Sequence, residues 1–173
     1  KSYDVNTHLI GAYNVKNALA AIAVGLRFEV PAEAICEALN GYIPSNNRSQ
    51  LTETADNHLI VDAYNANPTS MMAALENFRL MEVAHKVAIL GDMKELGEGS
   101  VDEHRKIVSF LEGCGFERII LVGDEFGKAN SGFEWYKNTD DLKAKISEEK
   151  ISGKFVLIKG SNSMKLAPLK DIL

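Results

Sequence analysis

The residues best suited to chemistry stand in short polar loops, each of which directly follows an apolar run. The loops read DAYNANP, GDMKELGEGS, GDE and KGSNS. If the apolar runs are parallel strands, these loops meet along one edge of the sheet, where α/β proteins bind their ligands. The loops are therefore the first place to look for a binding site.

The first loop offers an acid, an aromatic ring and amides within a few residues. Asp62 could accept hydrogen bonds from both hydroxyls of a ribose, although it could equally cap a helix or pair with a base. The Tyr64 ring could cover a nucleobase and the Asn65 amide could read its edge. Asn67 is already explained as a helix cap before Pro68.

Two basic residues could bind an anion. The Arg48 guanidinium could hold phosphate oxygens in a bidentate manner, or it could be a solvated loop arginine. Lys159, followed by Gly160 and Ser161, precedes a predicted helix and could bind an anion there, or it could form a simple turn. The spacing is not that of a phosphate-binding GxxxxGK[ST] loop, which occurs nowhere in the sequence.

Other polar pairs have weaker signals. Asp92 and Glu95 could bind a cationic amine or a metal, but such acids are often solvated. Asn14 and Asn17 lie one helical turn apart and could meet the same ligand, unless Asn14 merely caps the helix. The four histidines lack metal-binding spacing, and no nucleophile and base can be paired. We therefore predict neither a catalytic residue nor a metal site within this chain.

The elements that carry these residues divide near the polar run PSNNR, at 44–48. Before it, alternating apolar residues predict a strand over 3–9, and helical periodicity predicts helices over 14–27 and 31–41. One strand and two helices cannot bury their own apolar faces. We therefore expect residues 1–46 to be the tail of a domain whose main body is missing.

The remainder, residues 47–173, alternates between strands and helices. Strands are predicted at 50–54, 58–63, 86–90, 118–122, 134–136 and 155–158, the first two forming an antiparallel pair. The pattern predicts a Rossmann-like α/β fold, with a mostly parallel sheet, one antiparallel strand and helices on both faces.

The starts of the intervening helices carry further signals. We predict a capping box between Ser100 and Glu103, a cap at Thr139, and a last helix that contains Leu166 and Leu169.

Composition excludes some partners. With 19 Lys and Arg against 24 Asp and Glu, the net charge is −5, which argues against a nucleic-acid surface. No apolar run approaches the roughly 20 residues of a membrane span. Cys36 and Cys114 lack metal-binding spacing, which favours reduced thiols in a cytoplasmic protein.

Four strings resemble the Mur ligase family. GAYNVKNALAAIAVG is similar to the family segment GxHNxxNAxAAxA, and LIKGSNSMKL resembles the closing KGSR-type motif. IVDAYNANPTSMMAAL and ILGDMKELGEGSVDEH resemble the MurF type in particular. The resemblance runs from about Thr7 to Leu166.

The resemblance implies a three-domain, ATP-dependent amide ligase that joins D-alanyl-D-alanine to a UDP-N-acetylmuramoyl-tripeptide. ATP phosphorylates the tripeptide carboxylate, and the dipeptide amine then displaces phosphate. Mg²⁺ and the phosphate-binding loop would belong mainly to a central domain, of which 1–46 is the end, and 47–173 would be the C-terminal domain. Alone, the chain would be inactive.

The resemblance also implies roles for individual residues. The nucleotide would be bound by Asn14, Asn17, Arg48, Asp62, Tyr64 and Asn65. The peptide substrates would be faced by Asp92, Glu95, Lys159 and Ser161. Two departures weaken the analogy: Tyr13 replaces the usual histidine, and Asn162 replaces a common arginine.

Three alternatives stay open. The parent could be another amide ligase of the Mur and folylpolyglutamate synthase superfamily. The chain could instead be a non-catalytic nucleotide-binding module, or a structural domain that self-associates.

Overall fold

The computed structural model describes residues 2–44, 48–129 and 132–173, with the backbone but not the side chain of Tyr13. Within these ranges a six-stranded sheet is flanked by helices, which confirms the predicted α/β fold. The strands are β1 Gln50–Glu53, β2 His58–Asp62, β3 Lys86–Gly91, β4 Arg118–Val122, β5 Glu134–Tyr136 and β6 Phe155–Lys159. The helices are α1 Tyr13–Arg27, α2 Ala32–Gly41, α3 Pro68–Leu80, α4 Ser100–Glu112, α5 Asp124–Ala129 and α6 Thr139–Glu148. Short 3₁₀ turns cover Gly97–Gly99, Asn162–Met164 and Ala167–Asp171.

The strands follow the order β1-β2-β6-β3-β4-β5. β1 and β2 pair antiparallel, as predicted, and the other neighbouring strands pair parallel. The last strand in sequence, β6, is thus inserted between β2 and β3. This order brings the carboxyl end of β6 beside the carboxyl end of β2, although nearly a hundred residues of chain separate them.

Successive strand residues point to opposite faces of the sheet, so an apolar core forms on each face. On one face Ile60, Leu90 and Leu157 pack with the apolar sides of α3, α4 and α5. On the other face Val61 and Ile158 pack with α6 and the C-terminal 3₁₀ turn. The helices therefore cover both faces, as the crossover rule predicts.

The segment before the sheet differs from its prediction. Residues 2–10 form no strand, so the predicted strand over 3–9 is wrong, and none of the described strands offers it a ladder. The segment is bound instead to the end of α2, where the backbone amide of Asn6 donates to Asn40 Oδ1 at 2.7 Å. Both predicted helices are present as α1 and α2, but apolar side chains of α1 remain exposed: Leu19 is 58% exposed and Leu26 56%.

Two predicted caps are wrong by position. Ser100 is the first residue of α4 rather than its cap, because the preceding 3₁₀ turn ends at Gly99, whose backbone leads straight into the helix. α6 is capped by Asn138, whose side chain accepts from the amide of Asp141, and not by Thr139. The Thr139 hydroxyl donates to the carbonyl of Met164 instead.

Two further elements differ from the prediction. α5 follows β4 where the sequence indicated only a polar loop. The predicted last helix is wrong, since Leu166 and Leu169 lie in or beside a short 3₁₀ turn that begins with Ala167 and Pro168. Pro168 lacks the amide hydrogen that would extend helical hydrogen bonding.

Candidate functional site

One groove lies beyond the carboxyl ends of β2 and β6, between α1 and α2 on one side and the start of α3 on the other. Its volume is about 1240 Å³. Seven of the ten residues predicted from the sequence line it: Asn14, Asn17, Arg48, Asp62, Tyr64, Asn65 and Lys159. The groove therefore joins residues from both sides of the polar run at 44–48.

The floor of the groove carries an ion pair between two strand ends. Asp62 ends β2 and Lys159 ends β6, and the two residues are register partners in the parallel ladder. The Lys159 ammonium donates to Asp62 Oδ2 at 2.5 Å and lies 3.5 Å from the carbonyl oxygen of Asn65. The side chain of Lys159 is only 1% exposed, whereas that of Asp62 is 15% exposed, so the ammonium is the more shielded partner.

The residues that follow the polar run bind to the same strand end. The amide of Ser49 donates to Asp62 Oδ1 at 3.3 Å. Next to it, the Arg48 guanidinium lies over the Tyr64 ring, with 4.1 Å between Cζ and the ring centroid. Both side chains are exposed, so they form a cationic and aromatic lip on a groove whose floor is electrically neutral.

The α1 wall is polar at its first turn. The side-chain amide of Asn14 donates to the carbonyl of Ile10 at 2.7 Å, and Asn17 donates to Asn14 Oδ1 at 2.8 Å. Asn14 is thus not the helix cap, a position held by Ala12 without a side-chain bond. The linked amides present Asn17 toward the groove while Asn14 is buried.

The opposite wall is the start of α3, which is fixed by a complete capping box. Asn67 accepts from the amide of Ser70 at 2.8 Å, and Ser70 Oγ accepts from the amide of Asn67 at 3.1 Å. Asn65 precedes this box, and its Oδ1 accepts from the amide of Ala66 at 2.9 Å. The cap predicted from the Asn–Pro pair is therefore confirmed.

The other three predicted residues do not line the groove. Asp92 has a wholly buried side chain, whose oxygens accept from the amides of Phe126 (2.9 Å) and Glu125 (3.2 Å) and from Lys94 Nζ (3.1 Å). A direct contact between Asp92 and a substrate is not what this geometry supports, because its carboxylate is occupied in holding the start of α5.

Ser161 and Glu95 are placed by the same loops. Ser161 Oγ accepts from the amide of Lys94 at 2.9 Å, and its own amide donates to the carbonyl of Asp92 at 3.1 Å. Ser161 thereby joins the loop after β6 to the loop after β3. Glu95 is exposed on that second loop and has a positive φ of 65°.

A buried histidine supports these loops. His104 Nε2 accepts from the amide of Met93 at 3.0 Å, so Nδ1 carries the hydrogen and donates to the carbonyl of Ser100 at 2.7 Å. His104 thereby links the loop after β3 to the first turn of α4. Within the described part of the chain, no three His, Cys, Asp or Glu side chains converge as metal ligands would.

Comparison with known proteins identifies the family. A profile of the family described as "Mur ligase, glutamate ligase domain" matches residues 47–162. The chain belongs to the Mur ligase family. The match begins one residue before Arg48 and includes all six described strands.

Two curated relatives share one name. The UDP-N-acetylmuramoyl-tripeptide–D-alanyl-D-alanine ligase of Treponema pallidum is 32% identical over 178 residues, covering 98% of this chain and 39% of the relative. The Bacillus subtilis ligase of that name is also 32% identical, covering 95% of this chain and 39% of the relative. The chain therefore spans about two fifths of the length of the curated relatives it matches.

Solved structures show the same fold. The UDP-N-acetylmuramoylalanyl-D-glutamyl-2,6-diaminopimelate–D-alanyl-D-alanyl ligase of Acinetobacter baumannii superposes with a TM-score of 0.83. It is 29% identical, and the superposition covers 97% of this chain and 38% of that one. A MurF ligase from Thermotoga maritima, solved in complex with ADP, superposes with a TM-score of 0.80 over 95% of this chain and 38% of that one. At 19% identity this second likeness concerns the fold alone.

The sequence missed two features of the groove. It gave no role to the amide of Ser49, because a backbone donor has no signature in residue type. It also assigned Lys159 to a ligand rather than to Asp62, because the pairing of β2 with β6 depends on a strand order that no local pattern reports.

Within the described residues, no helix is long and apolar enough to cross a membrane.

Proposed function

We propose that this chain is the C-terminal part of a MurF-type ligase that uses ATP to join D-alanyl-D-alanine to a UDP-N-acetylmuramoyl-tripeptide. Membership of the Mur ligase family and the names of the relatives support the proposal. In it, residues 1–46 end a central ATP-binding domain and residues 47–173 form the C-terminal domain. The many exposed apolar side chains of α1 and α2 fit such a continuation.

The observation that carries the proposal is the groove shared by the six predicted nucleotide-binding residues. The exposed Arg48 guanidinium could meet phosphate oxygens at the lip, and the Asp62 carboxylate could accept from ribose hydroxyls at the floor. Tyr64, Asn65 and the first turn of α1 would surround the base. Shape, aromatic surface and an exposed cation together suit a nucleoside phosphate.

The chemistry proposed for the whole ligase proceeds in two steps. The tripeptide carboxylate attacks the γ-phosphorus of ATP, which gives an acyl phosphate and ADP. The dipeptide amine then attacks the acyl carbon, and the tetrahedral intermediate expels phosphate to leave the amide. The part of this chain is to orient the nucleotide and close its site, since positioning and charge neutralisation supply most catalysis of this type.

Mg²⁺ would neutralise the ATP phosphates, and we assign it mainly to the central domain. In the described residues, the carboxylates that line the groove already have cationic partners: Asp62 pairs with Lys159, and Glu103 pairs with Lys106 at 2.5 Å. A carboxylate beside an ammonium is a weaker ligand for a hard cation than a free one, because the ammonium repels the cation. Because ATP and a nucleotide-linked peptide are the substrates, the proposed location is the cytoplasm.

An assay of the complete protein tests the function. ADP release with tripeptide precursor should depend on D-alanyl-D-alanine and should be negligible with single amino acids. Equal or better turnover with a single amino acid would replace the proposal by another amide ligase of the superfamily. Precursors ending in lysine and in diaminopimelate should both be tried as the tripeptide.

The chain of 173 residues by itself supplies a second test. It should show no ligase activity and bind ATP no more tightly than about millimolar, because the phosphate-binding loop and the Mg²⁺ site that we assign to the central domain are not among its residues. Micromolar affinity in calorimetry would favour a self-sufficient nucleotide-binding module. A stable dimer in sedimentation, without nucleotide binding, would favour a structural interaction domain.

A further inference from the structure

We infer that Lys159 is a positioning residue of the nucleotide site: it fixes the Asp62 carboxylate for the ribose and does not itself bind a substrate anion. The inference rests on the proposed function and deepens it. It also reverses the expectation from sequence, in which the lysine of the KGSNS loop faced a peptide substrate.

The first support is the burial of the ammonium. Lys159 projects from the end of the central strand β6 and retains only 1% of its side-chain exposure, whereas Asp62 retains 15%. Although both residues line the groove, the carboxylate is thus the partner with the greater access to it. An ammonium held this deep would have to leave Asp62 before it could meet a substrate phosphate, at a large cost in uncompensated buried charge.

The second support is the division of work between the two carboxylate oxygens. Oδ2 accepts from the Lys159 ammonium at 2.5 Å, and Oδ1 accepts from the amide of Ser49 at 3.3 Å. Each carboxylate oxygen has two lone pairs, so Oδ1 keeps acceptor capacity for a hydroxyl. Since the Ser49 bond is long, the short lysine bond is the main restraint on how Asp62 is turned.

The third support is the adjoining loop. The same ammonium lies 3.5 Å from the carbonyl oxygen of Asn65, so it also draws in the turn that carries Tyr64 and Asn65. One buried cation therefore sets both the acid for the ribose and the loop beside the base. A residue with this role acts on nucleoside binding and has little to do with the dipeptide.

Calorimetry on the complete protein tests the inference with a mutant cycle and two probes, ATP and adenosine. The variants are Lys159→Met, Asp62→Asn and the double variant. Lys159→Met should weaken ATP and adenosine by the same factor, about tenfold, because its effect passes through the ribose contact. The double variant should be no weaker than the worse single variant, and the KM for D-alanyl-D-alanine should stay within about twofold.

Contrary results are equally specific. If Lys159 contacted phosphate directly, Lys159→Met would weaken the binding of ATP but not of adenosine. In the double variant, the losses of ATP affinity from Lys159→Met and Asp62→Asn would then multiply. Either result overturns the inference. A rise in the dipeptide KM for Lys159→Met would restore the substrate-facing role. Lys143→Met, an ion-paired lysine of α6 that does not line the groove, is the matched control and should leave both affinities unchanged.

A folding defect is distinguishable from a loss of function. If Asp62→Asn fails to fold with its buried ammonium unpaired, Lys159→Met is compared with the double variant, and a further loss of ATP affinity in the double variant overturns the inference. If the unsubstituted protein binds ATP without ligating, the proposed function fails while the cycle still decides the role of Lys159. If it binds neither ATP nor adenosine, the inference falls.

Discussion

Gly123 lies directly against the buried carboxylate of Asp92. A Cβ placed on Gly123 would come within 2.3 Å of Asp92 Cγ, and the glycine has a φ of +118° that other residues rarely adopt. The carboxylate also accepts from the amides of Glu125 and Phe126, two and three residues after Gly123. The turn from β4 into α5 is therefore built around the acid that follows the neighbouring strand β3.

Gly123→Ala should destabilise the fold by about 2 kcal/mol or more, because a methyl group would displace the carboxylate and strain the backbone. Urea unfolding at neutral pH would measure the loss. Gly99→Ala is the matched control, since a Cβ placed on Gly99 would meet no heavy atom within 4 Å and its φ of −78° is ordinary. Equal losses for the two variants would refute the packing argument.

Asp92→Asn should cost about 1–3 kcal/mol, because an amide cannot accept from the two backbone donors and the Lys94 ammonium together, which leaves a buried donor unsatisfied. Asp102→Asn, on the exposed face of α4, should change stability by less than about 0.5 kcal/mol. The same unfolding experiment compares the two. A small effect at Asp92 would mean that the start of α5 does not depend on this acceptor.

Arg48→Ala should weaken ATP binding by the complete protein roughly tenfold while leaving its melting temperature nearly unchanged, since the guanidinium and the Tyr64 ring are both exposed. Adenosine binding should suffer less, because the charge is expected to act on phosphate. Arg105→Ala, an exposed arginine of α4 that does not line the groove, controls for loss of charge. Unchanged ATP affinity would remove Arg48 from the site.

A pH dependence should arise at the Arg118–Glu134 pair between β4 and β5. Two guanidinium nitrogens donate to the two carboxylate oxygens at 2.7 and 2.8 Å. The Arg118 guanidinium holds the pKa of Glu134 below its ordinary value of 4.5. Because the folded pKa is depressed, the stabilisation is complete above the ordinary value and is lost as pH falls through the folded one.

Glu134→Gln should therefore lower the free energy of unfolding by about 1 kcal/mol at neutral pH, with the difference from the unsubstituted chain shrinking in acid. Chemical unfolding across this pH range would follow the difference. For Glu76→Gln, an exposed position of α3, the difference in unfolding free energy from the unsubstituted chain should show no comparable dependence on pH. A difference that persisted unchanged in acid would contradict an ionic origin.

The sequence by itself determined the elements and their chemistry. Alternating and helical apolar periods located the sheet strands and most helices, and the Asn67–Pro68 pair marked the start of α3 correctly. Local signals failed where the outcome depended on tertiary contacts. Thr139 donates to the carbonyl of Met164 rather than capping α6, and the apolar alternation over 3–9 pairs with none of the described strands. Residue types also identified the loops that line the groove.

Only the tertiary structure determined which charged residues contact each other. Asp62, Asp92 and Lys159 are all charged residues at or just beyond strand ends, and nothing in their local sequence distinguishes a ligand-facing acid from a structural one. The strand order places Lys159 beside Asp62, and the crossover after β4 encloses Asp92. Periodicity reports which side of an element is buried, whereas the partner of a buried charge depends on contacts between residues far apart in the chain.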